Sequence, residues 1–215
     1  MTRLRKRVAV LYASGTNCEE ETMAAIQLAG GNPLLLFMND ILKGRVRITD
    51  CDCFCVAGGF SGGDHIATGI LVATLLADHF RRLVEARIPI LGICNGFQAL
   101  DRARLFGEGV TLARNDSEAF CSMPVKHRVE TSNCIWTKGL EGRILSFPSA
   151  HGYGKVVGES KPNVVLTYAS ESPNGGFIAG ICSDNGLIFG LMDHPERPYG
   201  NPDGLEIFRN GIKAA

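Results

Sequence analysis

The first half of the chain alternates short apolar runs with longer stretches whose apolar positions recur at helical spacing. The runs that predict strands cover residues 7–12, 34–37, 53–57 and 88–92. Residues 18–29 and 64–86 favour helices, and the first of these opens with three glutamates and stops at Gly30 and Gly31. Buried strands that alternate with helices are typical of a parallel sheet covered on both faces.

The second half of the chain has a different pattern. Between residues 125 and 191, several short β-like runs are separated by glycine, proline, asparagine and serine, and residues 203–212 favour a helix again. No internal repeat and no linker interrupts the sequence. We therefore predict a single domain spanning residues 1–215. Its fold is α/β, with a central, mostly parallel sheet flanked by helices and a small β-rich section in the second half.

Composition and charge exclude several classes of protein. The 215 residues suit one sizeable core, and 45% hydrophobic against 20% charged residues is typical of a globular rather than a disordered chain. Lysine plus arginine and aspartate plus glutamate are 22 each, so no net positive field attracts nucleic acid or an anionic membrane. No apolar run reaches the roughly 18 residues of a membrane-spanning helix. We expect a cytoplasmic protein that binds neither nucleic acid nor membrane.

The eight cysteines do not form a pattern that predicts disulfides or a metal site. No two are spaced as a CxxC pair, and Cys51, Cys53 and Cys55 alternate within a predicted strand, so they are expected to share one of its faces. Cysteine commonly behaves as a small buried hydrophobe. We expect reduced cysteines, no bound metal, and at most one or two cysteines that take part in chemistry.

One cysteine stands in distinctive surroundings. Cys94 follows the predicted strand 88–92 and precedes a helix-compatible run from Asn95, with Gly92 and Gly96 two residues to either side. This GxCxG pattern is the cysteine form of the nucleophile elbow, a sharp strand-to-helix turn that closes only with small neighbours. The helix start directs its N–H groups at the sulfur, and the Asn95 amide would face an oxyanion. A cysteine that simply packs at a tight turn would leave the same pattern.

A cysteine nucleophile that attacks an amide needs a base that later protonates the leaving group. Among the five histidines, His194 is the best candidate, because it follows the apolar run 186–192 and precedes Pro195 and Glu196. Proline fixes the backbone there, and Glu196 can hold the imidazole. Without the cysteine upstream, a surface loop would explain this segment better.

A glycine-rich turn follows the third predicted strand, at residues 57–64. It matches neither a Walker A loop nor a GxGxxG fingerprint, and no lysine follows it, which argues against phosphate binding. A neighbouring strand-end turn that supplies a second N–H group to an oxyanion hole explains it better.

Six motifs, distributed over nearly the whole chain, carry a resemblance to a known family. They are GGFSGGD (58–64), GICNGFQ (92–98), RNDS (114–117), AHGYG (150–154), SPNG (172–175) with IAG (178–180), and HPER (194–197). Together they resemble the triad (class I) glutamine amidotransferases, and among these the family of glutaminase subunits of phosphoribosylformylglycinamidine synthase. The second and the last motif are the most specific.

The resemblance implies a role for each site residue. Cys94 would be the nucleophile, His194 the base and then the acid, and Glu196 the orienting carboxylate. Gly59 and Asn95 would supply the amides of the oxyanion hole. The residues that would lie around the bound glutamine are Gln98, Gly152 and Tyr153.

The resemblance also implies a fold, a reaction and partners. The fold would be the flavodoxin-like one of class I amidotransferases, and the chain would hydrolyse glutamine to glutamate and ammonia without a cofactor of its own. A separate large synthetase subunit would use the ammonia, with ATP and Mg²⁺, to convert formylglycinamide ribonucleotide to its amidine in purine biosynthesis. The chain has no ATP-binding motif of its own. A small bridging subunit is a further expected partner.

Some positions depart from the family pattern, and other functions compete with this one. Gly62 and His65 stand where the family has tyrosines, Tyr153 replaces a glutamate, and residues 105–109 lack the usual Leu-Pro-Gly. These departures affect the expected glutamine pocket and partner surface, not the triad. An amidotransferase that serves another acceptor would share the triad but would lack the FSxGD and CNGFQ motifs.

Two further alternatives belong to other classes of protein. An elbow-cysteine hydrolase or deglycase takes its acid from the end of the first strand, where residues 13–15 offer no carboxylate. A binding subunit with an inactive site would lack the nucleophile or the base, and neither is missing here.

Overall fold

The structure is a computed structural model that describes residues 5–60, 69–197 and 202–215. In these ranges the strands are β1 (Arg7–Tyr12), β2 (Asn32–Phe37), β3 (Cys53–Val56), β4 (Ile90–Ile93), β5 (Val110–Arg114), β6 (Cys121–Val129), β7 (Ile144–His151), β8 (Tyr153–Gly158), β9 (Asn163–Tyr168), β10 (Ile178–Cys182) and β11 (Ile188–Leu191). The helices are α1 (Glu19–Leu28), α2 (Met38–Leu42), α3 (Ile70–Glu85), α4 (Asn95–Arg102) and α5 (Leu205–Ala214), with one 3₁₀ turn at Ile135–Thr137.

Within the described ranges, nine strands form one sheet in the order β2-β1-β3-β4-β11-β10-β9-β6-β7. The five strands from β2 to β11 run parallel, and the four beyond them are joined antiparallel. β5 and β8 form a separate antiparallel pair. The predicted α/β fold is confirmed. Most strands of the second half extend the main sheet.

Helices cover both faces of the parallel strands, which explains why the central strands β3, β4 and β11 consist of apolar residues. Val8 of β1 faces a core that contains Ile26 of α1 and Phe208 of α5. Leu11 of the same strand faces the opposite core, with Leu76 of α3. β3, β4 and β11 are buried at every position. Among the residues that the structure describes, no helix combines the length and apolar character needed to cross a membrane.

Two helices differ from the sequence prediction. α2 was not predicted, because its five residues give too short a periodic signal. α3 begins at Ile70, after Gly69 in the left-handed conformation with φ +77°. The predicted start of this helix, residues 64–68, lies outside the described residues.

The cysteine cluster also differs from its prediction. Cys53 and Cys55 face the core that contains α1 and α5, whereas Cys51 precedes β3 and packs in the opposite core. The expectation that all three share one face was wrong, because the strand begins only at Cys53. Burial raises the pKa of Cys51 to about 11 and that of Cys53 to about 12, as for cysteines that serve as small hydrophobes.

The topology places two segments of the chain next to each other at one edge of the sheet. β4 and β11 are parallel neighbours, with Ile93 opposite Leu191. Because parallel strands end at the same edge, the residues that follow them, Cys94 and His194, emerge side by side.

Candidate active site

Cys94 lies at a strained turn between β4 and α4, with φ +51° and ψ −111°. Its N–H group donates a hydrogen bond to the carbonyl of Leu191 at 2.8 Å, which fixes the turn against β11. A Cβ atom on Gly96 would lie 1.9 Å from the carbonyl oxygen of Val56, and one on Gly92 would lie 3.0 Å from the carbonyl carbon of Gly96. Glycine is therefore required at position 96, and a larger residue at position 92 would force its neighbours to shift, as the elbow pattern predicted.

His194 and Glu196 form a buried pair at the end of β11. The Nδ1 atom of His194 donates to Oε1 of Glu196 at 2.6 Å, and both residues are 2% exposed. The N–H group of His194 donates to the carbonyl of Pro148 at 2.8 Å, which ties this segment to β7. The structure thus brings the predicted base and its carboxylate together.

The surroundings of His194 favour its protonated form. Burial alone lowers the pKa of His194, but the charges of Glu196 and Cys94 and hydrogen bonds with the sulfurs of Cys18 and Cys94 raise it well above the usual value. An imidazolium next to a cysteine sulfur is the arrangement in which cysteine acts as a nucleophile.

A cavity of about 170 Å³ opens beside the sulfur of Cys94. Its mouth is framed by Phe60 and Phe120, whose ring centroids are 6.4 Å apart and whose side chains are 46% and 51% exposed. The loop after β1 contributes Asn17 and Cys18 to the wall. Neither is a carboxylate, which argues against the hydrolase or deglycase arrangement.

Gly59 lines the same cavity as Cys94 and lies three residues after the end of β3. The next N–H group, that of Phe60, donates to the carbonyl of Gly15 at 2.7 Å, and Gly59 itself bridges to Thr16. A Cβ atom at position 59 would lie 2.6 Å from the oxygen of Gly15, so only glycine fits. Asn95 is the first residue of α4, directly after Cys94. That their amides bind an oxyanion stays a prediction.

Three carboxamide side chains hold one strip of main chain, residues 151–154, beside the site. The donors are Gln98, Asn115 and Asn174, and the acceptors are the carbonyl oxygens of Tyr153, His151 and Gly154, at 2.7, 2.9 and 2.9 Å. Gln98, Gly152 and Tyr153 therefore lie against or within this strip, and they are not among the residues that line the cavity. Their contact with glutamine stays a prediction.

Sequence reasoning missed a second thiol at the site. Cys18 is 1% exposed, lines the cavity, and accepts a hydrogen bond from Nη2 of Arg197 at 3.0 Å. Cys18 follows Gly15, Thr16 and Asn17, and Arg197 belongs to the HPER motif, but no local sequence pattern joins the two residues. Within the described ranges, Cys18, His194 and Glu196 are the group close enough to hold a metal ion. The departures at Gly62 and His65 lie outside those ranges.

Comparisons of sequence point to one family. A family model described as the CobB/CobQ-like glutamine amidotransferase domain matches residues 5–202. The chain is 34% identical to phosphoribosylformylglycinamidine synthase subunit PurQ of Archaeoglobus fulgidus, over 99% of this chain and 98% of that one. It is 37% identical to the PurQ subunit of Thermomicrobium roseum, over 94% of this chain and 93% of that one.

Solved structures give the same picture. A chain in the structure of PurLQS from Thermotoga maritima superposes with a TM-score of 0.88 and 31% sequence identity, covering 98% of this chain and 99% of that one. A glutamine amidotransferase from Thermotoga maritima superposes with a TM-score of 0.62 at 15% identity, covering 91% of this chain and 78% of that one. The second likeness concerns the fold alone.

Proposed function

The chain belongs to the CobB/CobQ-like glutamine amidotransferase family, and on that premise we propose that it is the glutaminase subunit of phosphoribosylformylglycinamidine synthase. One structural observation carries the proposal. Cys94, at the strained end of β4, meets the His194–Glu196 pair at the end of the neighbouring parallel strand. The similarity to PurQ subunits over nearly the full length of both chains supports the choice of acceptor.

The first half of the reaction consumes the amide. The sulfur of Cys94 attacks the side-chain carbonyl of glutamine, and the amides of Gly59 and Asn95 stabilise the oxyanion. The imidazolium of His194 protonates the departing nitrogen, so that ammonia leaves and a γ-glutamyl thioester remains. Glu196 holds the ring in place and stabilises its positive charge.

The second half of the reaction regenerates the enzyme. Neutral His194 takes a proton from a water molecule as that water attacks the thioester. Glutamate leaves, and the sulfur and the imidazolium return to their starting pair. The chain needs no cofactor for either half.

The partners follow from the acceptor. We propose that a large synthetase subunit performs the ATP- and Mg²⁺-dependent step, and that a small bridging subunit completes the complex. The likeness to a chain of PurLQS from Thermotoga maritima supports a complex with PurL. A cytoplasmic location belongs to the same proposal, and the eight free cysteines support it, because disulfides are rare in reducing compartments.

The proposal is tested with the reconstituted complex and Cys94→Ser. Amidine synthesis from glutamine should be lost, whereas synthesis from added ammonia should continue, because only the nucleophile has changed. Cys121→Ser is the matched control, since Cys121 is a half-buried cysteine that does not line the cavity. Equal loss with glutamine and with ammonia would contradict a glutaminase role.

The acceptor is tested separately. Glutamine-dependent amination should require formylglycinamide ribonucleotide and the cognate synthetase. Efficient pairing with the synthetase of another pathway would favour the alternative amidotransferase.

A further inference from the structure

Cys18 is a buried thiol that the proposed reaction does not use. It precedes α1, and its sulfur lies within hydrogen-bond distance of two neighbouring side chains. The sulfur accepts from Nη2 of Arg197 at 3.0 Å and can donate to Oδ1 of Asn17 at 3.2 Å, and it lies within 4.8 Å of a ring nitrogen of His194. A nucleophilic group in such a position needs an explanation of its own.

The sulfur of Cys18 belongs to a compact group of three potential metal ligands. One ligand atom each from Cys18, His194 and Glu196 lies within 4.8 Å of the other two, and the three residues are 1%, 2% and 2% exposed. Ligand atoms around a tetrahedral zinc ion lie about 3.5 Å apart, given bond lengths of about 2.0–2.3 Å. Formation of the site therefore needs a closure of roughly 1 Å between the most widely separated of these atoms, and zinc releases to solvent the proton that His194 shares with Glu196.

A second observation points to a ligand at this place. Oε1 of Glu196 accepts the hydrogen bond of His194, but Oε2 is buried without a hydrogen-bond partner among the described residues. A buried carboxylate oxygen without a partner is costly unless something binds it. The adjoining cavity leaves room for a water molecule as a fourth ligand.

We propose that Cys18, His194 and Glu196 bind a Zn²⁺ ion, with water as the fourth ligand. Thiolate, imidazole and carboxylate are the ligands that zinc takes in proteins, whereas Mg²⁺ and Ca²⁺ require sets of oxygen atoms. The bound ion occupies the base and its carboxylate, so zinc and catalysis exclude each other. The inhibition, but not the binding, rests on the function proposed above.

Arg197 opposes the metal and so regulates its affinity. Its guanidinium bonds the sulfur that the ion needs, and its positive charge repels the ion. The Nε atom of Arg197 lies 3.5 Å from Oε1 of Glu21, so the guanidinium can shift toward this carboxylate when zinc binds. Removal of this charge should tighten zinc binding.

The test measures zinc binding to the full chain, without glutamine, by competition with a chromophoric chelator. Cys18→Ser should weaken binding at least about tenfold, since it removes a ligand, whereas Cys94→Ala should change it by less than about threefold. Arg197→Gln should strengthen binding by about threefold or more. Cys121→Ser serves as the matched thiol control.

A second readout identifies the ligand directly. Co²⁺ in place of Zn²⁺ should give a sulfur-to-metal absorption band that persists in Cys94→Ala and disappears in Cys18→Ser. Glu196→Gln, which keeps the shape of the side chain, should also weaken binding, and far-UV circular dichroism checks that this variant and Cys18→Ser are both folded. Loss of binding in Cys94→Ala with retention in Cys18→Ser would overturn the proposal, as would the absence of binding to the unmodified chain. Because no arm uses glutamine, a failure here is distinct from a failure of the proposed function.

Discussion

His127 and Asp193 form a fully buried hydrogen-bonded pair, with Nε2 of His127 2.8 Å from Oδ2 of Asp193 and neither side chain exposed to solvent. The ring of Phe147 stacks on the imidazole at 3.9 Å, and Nε2 of His151 lies 3.6 Å from the other carboxylate oxygen. Burial alone raises the pKa of Asp193, but the charge of His127, its hydrogen bond and the nearby imidazole of His151 hold it well below the usual range. Since Asp193 directly precedes His194, the pair anchors the segment that carries the base.

Asp193→Asn should therefore destabilise the fold and slow glutamine hydrolysis. The free energy of unfolding should fall by about 3–5 kcal/mol, the usual result of removing one partner of a buried pair. Because the pKa of Asp193 is lower in the folded state, the stabilisation by its carboxylate is complete at pH values above its unfolded-state pKa of about 3.9. The stabilisation is lost as the pH falls through the lower pKa of the folded state. Urea unfolding at neutral and at strongly acidic pH measures the difference, which should shrink in acid.

Asp101→Asn is the matched control for this prediction. Asp101 is a buried carboxylate on α4 that accepts from Thr111 and from the N–H group of Leu112, and burial raises its pKa. A raised pKa means that the folded state favours the neutral form, so this substitution should cost less at neutral pH. An equal loss of stability in both variants would show that the charge of Asp193 is unimportant.

Glu196→Gln should leave glutamine binding nearly unchanged and lower the glutaminase rate by a large factor, up to roughly 10⁴ by analogy with loss of the acid in a serine triad. The Glu196 carboxylate raises the pKa of His194. The interaction between the two therefore contributes fully to the free energy of unfolding below about pH 6.5, and this contribution is lost as the pH rises through the pKa of His194 in the folded state. The loss of stability in the variant should therefore shrink at high pH.

The matched control for Glu196→Gln is Glu130→Gln. The Glu130 carboxylate accepts a hydrogen bond of 2.6 Å from the Thr167 hydroxyl, and Glu130 does not line the cavity. Steady-state kinetics and urea unfolding over a range of pH check both variants. A Glu196→Gln enzyme within a factor of two of the unmodified rate would assign the orienting role to another group.

Gln98→Ala should raise KM for glutamine about tenfold with a smaller effect on kcat, because a lost buried hydrogen bond loosens the strip 151–154. Asn163→Ala is the matched control, since this amide bonds Asn133 at 2.7 Å on the surface. Glutamine saturation curves on the complex distinguish the two. A KM unchanged in Gln98→Ala would mean that the other two carboxamides suffice.

Gly59→Ala should lower the glutamine-dependent rate by about 10²–10³, because the new methyl group would displace the turn that presents an oxyanion donor. Synthesis from ammonia should not change. Gly44→Ala is the matched control: it also has a positive φ, +67°, but no atom lies within 4 Å of its added Cβ. That variant should cost about 1 kcal/mol in stability and nothing in activity.

The sequence alone determined the elements and the chemistry that lie close together in the chain. Buried apolar runs and glycine turns predicted the parallel strands, and GxCxG placed Cys94 on an elbow, because these features depend on neighbours only a few residues away. His194 and Glu196 are two residues apart, so their pairing was also readable. The resemblance to class I amidotransferases then linked the two segments.

Only the tertiary structure decided which distant residues meet. The order of the strands makes β4 and β11 neighbours, and this brings position 94 to position 194. The pairs Cys18–Arg197 and His127–Asp193 join residues separated by 179 and 66 positions, and nothing in the local pattern of either partner specifies the other. Periodicity encodes burial and turns, whereas contacts between remote side chains depend on how the sheet is ordered and how its loops pack at one edge.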